Sequence, residues 1–141
     1  MTVEYRTLSL TKHRSSPLST IPDHVLDSTI DLYFLFCHNQ PYAFFHEATF
    51  REDFDNGLIS EFLVLSILTM SIRFSHEPYF QGRQEQLTAE YALRAWNLVL
   101  HECFSSEDGL DYHAVQAATL LAIHDFTGTV TSAHNIEGSR Y

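Results

Sequence analysis

Residues 58–74, which read LISEFLVLSILTMSIRF, decide the fold of this 141-residue chain. Between residues 62 and 72 eight of the eleven side chains are apolar and the other three carry only a hydroxyl group, so no strongly polar helical face is left for water. A helix that is apolar nearly all round is buried on most of its sides. The run is too short to span a bilayer, which needs about 20 consecutive apolar residues. It therefore predicts a central helix that requires packing partners from the rest of the chain.

The flanking sequence supplies these partners as further helices. Asp111 can cap one of them, a capping box from Thr49 to Glu52 can start another, and Gly128 is placed to end the last. The predicted helices lie at residues 23–38, 50–56, 58–74, 83–103 and 111–126. No stretch alternates apolar and polar residues with a period of two. The predicted class is all-α, an irregular domain of about four to six helices.

The two long helices carry apolar residues at helical spacing, which predicts the sides that point inward. On the helix at 83–103 this stripe comprises Ala89, Ala92, Leu93, Trp96, Val99, Leu100 and Cys103. On the helix at 111–126 it comprises Val115, Ala118, Leu121, Ala122 and Phe126. Glu90 and Arg94 have the spacing of an i,i+4 ion pair on the outer side.

The last predicted helix has more apolar surface than one neighbour can cover. Further apolar residues on it are Ala114, Ala117, Leu120 and Leu121. A large uncovered apolar patch marks an association site or an aggregation hazard. We therefore expect the isolated chain to self-associate, to bind a partner or to fold only marginally.

Charge is distributed unevenly along the chain and argues against nucleic-acid binding. The formal net charge is −10, and residues 21–141 contain 5 basic and 17 acidic residues. Affinity for nucleic acid depends on neutralising phosphates with Lys and Arg, so this surface would repel a duplex. Residues 1–21 are polar, rich in serine and locally basic, and are predicted to form a flexible linker. The predicted domain then covers residues 22–141.

Cysteine and histidine side chains suggest a metal hypothesis. His46 and Glu47 begin like the H-E-x-x-H zinc motif, but Phe50 occupies the position of the second histidine. A site formed by Cys37, His38 and His46 is an alternative, although these residues lack the spacing typical of zinc ligands. We therefore expect no metal, no cofactor and no catalytic residue in this chain.

Two further patterns bear on enzymatic function and on compartment. A hydrolase would set a nucleophile against a base such as His124, and no nucleophile-elbow motif is present. His124 is instead interpreted as a cation near a helix C-terminus. An enzyme would need two or more histidines to converge, and the candidates are His38, His46, His76, His113 and His124. Cys37 and Cys103 are both placed on apolar helical faces, so a disulfide is not predicted and a reducing compartment is favoured.

Several segments in succession resemble the fungal-specific transcription factor domain, the middle homology region of zinc binuclear-cluster transcription factors. Residues 30–54 (IDLYFLFCHNQPYAFFHEATFREDF) resemble its opening, which is an aromatic helix, a proline turn, a histidine and Thr-Phe. An apolar helix that ends in Arg-Phe-Ser and the segment 114–128 (AVQAATLLAIHDFTG) are similar to later elements. The matching positions, interpreted as structural, are Phe34, His38, Pro41, His46, Thr49, Phe50, Arg73, Phe74, Gln116 and Gly128.

This resemblance implies a regulatory domain in transcription. The cysteine-rich zinc cluster that reads DNA in the family is not found in this sequence, so zinc and DNA binding are implied only for full-length relatives. The family domain continues through more helices, which implies that residues 22–141 are its front part. The resemblance implies a nuclear location; without it, a cytoplasmic location would be expected. We also expect a protein partner or self-association. The resemblance does not identify a small-molecule effector. The alternative is a stand-alone helical protein-interaction module with no transcriptional role.

Overall fold

Five α-helices build the fold in the computed structural model, which describes residues 16–39, 43–105, 107–109 and 111–138, with side chains up to residue 128. They are α1 (Asp23–Leu32), α2 (Glu47–Asp55), α3 (Glu61–Ser71), α4 (Gln84–Ser105) and α5 (Tyr112–Gly138). These described residues contain no strand, and the all-α prediction is confirmed. In the same part of the chain, no helix is long and apolar enough to cross a membrane.

Helix α3 lies at the centre of the fold, as its sequence predicts. It packs against α4, α5 and α1, so that each of its sides meets another element. Its side chains with no exposed surface include Leu63, Leu65, Ile67 and Leu68. Burial of each such side chain stabilises the folded state by about 1.5–3 kcal/mol. The central helix is therefore the element on which the others are assembled.

Three hydroxyl side chains are buried within α3. Ser66, Thr69 and Ser71 each donate a hydrogen bond to the backbone carbonyl four residues earlier, at 2.6, 2.8 and 2.6 Å. An unpaired buried hydroxyl would cost about 1–3 kcal/mol. Because each hydroxyl finds its acceptor inside the helix, α3 can be enclosed on all sides despite these polar residues.

The core is divided between two clusters that share α3. The first joins α1 to the first half of α4 and includes Val25, Leu87 and Tyr91. The second joins α2 and α5 and includes Phe50 and Leu120. Burial raises the pKa of Tyr91 to about 12, so its hydroxyl stays protonated at neutral pH.

The segment before α1 is packed from Ser16 onward. Pro17–Thr20 form a 3-10 turn, and Ile21 is buried in the first cluster. Ser16 Oγ donates to Glu61 Oε1 at 2.7 Å, which ties the segment to the start of α3. Residues 1–15 lie outside the described residues. The division of the chain at residue 21 stays a prediction, and the structure adds that Ser16 is already buried.

A π-helical turn, Tyr33–Cys37, continues α1 through the rest of the predicted helix at 23–38. The His38 N–H donates to the Tyr33 carbonyl at 2.8 Å, an interval of five residues that widens the last turn. Tyr33 and Cys37 are buried as a result, whereas Leu35 and Phe36 remain exposed.

Helix α2 begins three residues before the predicted start. Its N-cap is His46, whose Nδ1 accepts from the Thr49 N–H at 3.4 Å. The predicted capping box from Thr49 to Glu52 is therefore wrong, because Thr49 already lies inside the helix. A histidine ring nitrogen has taken the role that a Ser, Thr, Asp or Asn oxygen usually has.

The inward side of α4 is rotated from the predicted stripe. Tyr91 and Ala95 face α3, whereas four residues of the predicted stripe are exposed, namely Ala89, Leu93, Leu100 and Cys103. The prediction for these four residues was wrong because α4 is apolar over more than half of its circumference. Spacing alone does not say which part of such an arc meets the core.

The predicted ion pair between Glu90 and Arg94 does not form either. Arg94 Nε instead donates to Glu61 Oε1 at 2.7 Å, because the side of α4 that carries it lies against the start of α3. Glu90 accepts from Gln86 Nε2 at 2.9 Å. Arg94 and Ser16 thus share one carboxylate oxygen.

Helix α5 is longer than predicted and runs through Gly128 to Gly138. Gly128 is an internal position of the helix and does not end it, and a Cβ added there would meet nothing within 4 Å. His124 therefore does not lie at a helix C-terminus, and the interpretation based on the helix dipole is wrong. At the other end Asp111 Oδ1 accepts from the His113 N–H at 3.0 Å, as a cap should.

Candidate functional site

The aromatic positions of the family pattern form one packed cluster beside α2. Phe34 lies 5.6 Å from Phe50 between ring centroids, and Phe45 lies 5.2 Å from Phe50. Arg51 covers the Phe34 ring at 5.1 Å and pairs with Asp31 at 2.7 Å. These contacts fix α2 onto the end of α1, so in this chain Phe34 and Phe50 act in packing.

The polar positions of the pattern serve the loop that leads into α2. His46 caps the helix and its Nδ1 also lies 3.0 Å from Thr49 Oγ1. Gln116 on α5 donates through Nε2 to the Phe44 carbonyl at 3.0 Å, which ties the loop to α5. Pro41 lies outside the described residues.

A cleft of about 240 Å³ lies between this loop, α2 and the start of α5. It brings together two of the five candidate histidines, His46 and His113, with Asp53 also in the lining. His113 Nδ1 lies 2.9 Å from Ser60 Oγ, so both imidazoles have structural contacts. The cleft is smaller than the roughly 300–1,000 Å³ of typical ligand sites.

The Cys37, His38 and His46 hypothesis finds no assembled metal site in the part of the chain that the structure describes, where no three potential ligands come together. Cys37 Sγ donates to the Met70 carbonyl at 3.6 Å, and burial raises the pKa of this thiol. A metal-ligating cysteine would be a thiolate. His38 packs on Phe34, with 5.1 Å between ring centroids, and its Nδ1 has no hydrogen-bond partner among the described residues. The absence of a bound metal stays a prediction.

The two remaining motif positions lie after α3, in the 3-10 turn Ile72–Phe74. The Arg73 guanidinium lies over the Phe74 ring at 4.6 Å. Phe74 in turn stacks on Phe36 with 4.8 Å between centroids. This stack packs the 3-10 turn after α3 against the π-helical turn.

A group of exposed apolar side chains lies on one side of α4. Leu93, Leu100 and Phe104 are exposed, and Phe104 shows 88% of its surface. Their spacing of seven and four residues puts them on one side of the helix. This side is turned away from α3, which meets Tyr91 and Ala95.

A matching stripe runs along α5. Val115, Ala122 and Phe126 have the same spacing of seven and four residues, and all three are exposed. Phe126 shows 72% of its surface. The prediction that Val115, Ala122 and Phe126 point inward was wrong, because Ala117 and Leu121 are the residues that meet α3.

Both stripes flank the seam where α4 and α5 meet. The helices pack against each other, and Trp96 Nε1 donates to Asp125 Oδ2 across the seam at 3.1 Å. We refer to the two stripes together as the α4–α5 face. It comprises Leu93, Leu100, Phe104, Val115, Ala122 and Phe126. The sequence signal for it is the width of the apolar arc on α4 and α5, which exceeds what α3 can cover.

Comparison with known proteins identifies the family. Residues 30–135 match the family model of the fungal-specific transcription factor domain. The chain belongs to this family. An uncharacterized transcriptional regulatory protein of Schizosaccharomyces pombe is 32% identical over 119 residues, which are 79% of this chain and 11% of that relative. No solved structure matches.

Membership of the fungal-specific transcription factor domain family confirms the resemblance on which the matching positions were selected. The chain has the all-α fold that the resemblance implied. It spans 11% of the length of its fission-yeast relative.

Proposed function

We propose that this fungal-specific transcription factor domain regulates transcription through contact with another protein at the α4–α5 face. The observation that carries the proposal is the pair of apolar stripes on α4 and α5. Soluble proteins rarely expose contiguous apolar patches larger than a few hundred Å² unless the patch has a function. Interfaces of this kind have an apolar, aromatic centre.

The two phenylalanines account for much of the available energy. Phe104 and Phe126 expose 88% and 72% of their surfaces, which at 150–250 Å² per aromatic side chain is roughly 300 Å². Covering that area contributes at most about 7 kcal/mol before the entropy of association is subtracted. Covering Leu93 and Leu100 on the same face would add to this amount.

Charge supports a protein as the partner in preference to DNA. Among the described residues the ion pairs engage Arg51 and Arg94, and no lysine follows Lys12. The α4–α5 face itself is made of uncharged side chains. We infer a nuclear location from the family, a non-enzymatic role, and DNA contact only through a zinc cluster on another part of a full-length relative.

A reporter assay tests the proposal with a matched pair of variants. The full chain is fused to an unrelated DNA-binding domain, and reporter output is compared with that of the DNA-binding domain alone. Leu93→Ser combined with Phe104→Ser should abolish the effect of the fusion on the reporter. Leu58→Ser is the control, because Leu58 is 64% exposed like Leu93 but lies between α2 and α3. Equal loss in both variants, or unchanged output from the double variant, would reject the α4–α5 face as the point of contact.

The same assay separates the alternative of a stand-alone interaction module. Such a module would bind its partner through the α4–α5 face in a pull-down and leave every reporter unchanged. A transcription-regulatory domain changes both readouts together.

A further inference from the structure

A cavity of about 450 Å³ opens between the turn after α3, the start of α4 and the middle of α5. Its lining comprises Arg73, Gln84, Glu85, Thr88, Ala89 and His124. The volume lies within the range of roughly 300–1,000 Å³ that small-molecule sites have. Neither the packing of the core nor the α4–α5 face uses this cavity.

Arg73 brings an uncompensated positive charge to the cavity. In the described part of the chain, Arg51 pairs with carboxylates and Arg94 with Glu61, whereas Arg73 has no carboxylate within ion-pair distance. Its guanidinium lies over the Phe74 ring at 4.6 Å, and no hydrogen bond from its N–H groups is seen among the described residues. A stacked guanidinium of this kind suits bidentate recognition of a carboxylate.

Apart from Arg73 and Glu85, the residues that line the cavity are uncharged. His124 is half-buried, and burial lowers the pKa of its imidazole, so the neutral ring is present at pH 7. Ala89 and the methyl group of Thr88 provide apolar surface along α4. Gln84 Nε2 donates to the Ser75 carbonyl at 2.7 Å, so its amide group has a structural contact.

Glu85 limits the charge of an occupant. It lines the same cavity without approaching Arg73 to within 4.0 Å, so it does not neutralise the guanidinium by direct contact. A dianion such as a phosphate would meet repulsion from the Glu85 carboxylate. A single negative charge placed at Arg73, with an uncharged remainder, avoids this repulsion.

We propose that the cavity binds a small monocarboxylic acid with an apolar body. The carboxylate pairs with Arg73, and the apolar body lies against Ala89, Thr88 and the His124 ring. The site is independent of the proposed protein contact, because none of its six lining residues belongs to the α4–α5 face.

Calorimetric titration of the full chain with octanoate and benzoate tests the site. Octanol and benzyl alcohol serve as the uncharged counterparts, and acetate serves as the counterpart without an apolar body. We expect saturable binding of octanoate or benzoate, with both the alcohols and acetate at least tenfold weaker.

Three variants make the test specific. Arg73→Met should weaken carboxylate binding about tenfold or more, whereas Glu85→Gln should strengthen it by removing the repulsion. Arg83→Met is the matched control, because Arg83 also stacks on an aromatic ring, that of Tyr79 at 5.4 Å, but does not line the cavity. A circular dichroism melt checks that each variant is folded.

The proposal is overturned by any of four results. The first is equal binding of the alcohols and the acids, and the second is the same loss in Arg83→Met as in Arg73→Met. The third is weaker binding in Glu85→Gln. Because Glu85 is exposed, unfolding of this variant would not explain such a loss. No heat of binding for octanoate and benzoate up to millimolar concentration also rejects the site.

Discussion

Helix α3 and the outer sides of α4 and α5 are both rich in apolar residues, but α3 is buried and the outer sides are exposed to solvent. Leu65 and Ile67 on α3 have no exposed surface, whereas Leu93 and Phe104 on α4 show 64% and 88% of theirs. The difference is one of neighbours, because α3 is surrounded by three helices and the α4–α5 face has none in the described part of the chain. An apolar segment therefore favours burial, and the packing of the rest of the chain determines whether the segment is buried.

Replacing one leucine in each region should give the largest contrast. Leu65→Ala removes a fully buried side chain and leaves a cavity, so we expect a loss of about 2–5 kcal/mol in the free energy of unfolding. Leu93→Ala changes a side chain that is mostly in water, so its effect should stay within about 0.5 kcal/mol. Urea denaturation followed by circular dichroism measures both.

A milder core variant allows the comparison to be made even if Leu65→Ala does not fold. Ile67→Val should cost about 1 kcal/mol, because it removes one buried methyl group. If Leu93→Ala proved as destabilising as Leu65→Ala, the α4–α5 face would be covered within the folded chain, and its role as a contact surface would have to be abandoned.

The second contrast is in association, since an uncovered apolar face promotes it. We expect the sedimentation coefficient of the isolated chain to rise with concentration in the micromolar range, or the chain to be marginally stable. Leu93→Ser with Phe104→Ser should shift the chain toward the monomer, and Leu58→Ser should not. A wild-type monomer at high micromolar concentration with a cooperative melt near about 60 °C would contradict this expectation.

The buried helix α3 could be predicted well from the sequence, because a helix that is buried on all sides does not require the inward-facing side to be identified. It located all five helices, including the short α2. It failed where direction matters: Tyr91 and Leu93 lie two residues apart on α4, and only the position of α3 decides which one is buried. Composition cannot supply that position, since it depends on how several helices pack together.

Local chemistry explains the remaining differences between prediction and structure. Gly128 is a common helix terminator, yet α5 passes through it, because a glycine inside a helix costs only about 1 kcal/mol. A polar role for His46 at the loop–helix junction could be predicted from its position, but residue preferences do not favour histidine as the N-cap itself. The Arg73 cavity escaped prediction because its lining comes from three elements that are far apart in sequence, and no spacing pattern records such a site.

An ion-pair contrast should have a smaller effect than the core variants. Glu61 has a side chain that is 17% exposed and accepts from both Ser16 and Arg94, whereas Asp31 is 63% exposed and meets Arg51 alone. Glu61→Gln should cost about 1–2 kcal/mol, and Asp31→Asn less than about 0.5 kcal/mol. Chemical denaturation at two salt concentrations measures both, and an equal cost would show that partial burial does not strengthen the Glu61 pair.

The smallest expected effect is a pH dependence that arises from His124. Burial lowers the pKa of this imidazole below its ordinary value of 6.5, Asp125 opposes the shift, and the Arg73 charge adds to it. The unfolded chain therefore binds a proton at His124 at a higher pH than the folded chain does. The resulting stability is fully present above about pH 6.5 and decreases as the pH falls below that value.

Replacing His124 by Asn should flatten this part of the stability curve. We expect wild-type stability to fall between about pH 6.5 and pH 5, and the variant to fall less over the same interval. His76→Asn, at an exposed loop position, is the control and should keep the wild-type slope. Because His124 is only half-buried, the change is smaller than that of any core variant, and it needs denaturation curves at closely spaced pH values. A wild-type slope retained in His124→Asn would mean that other groups titrate in this interval, and that His124 is as accessible to protons in the folded chain as in the unfolded one.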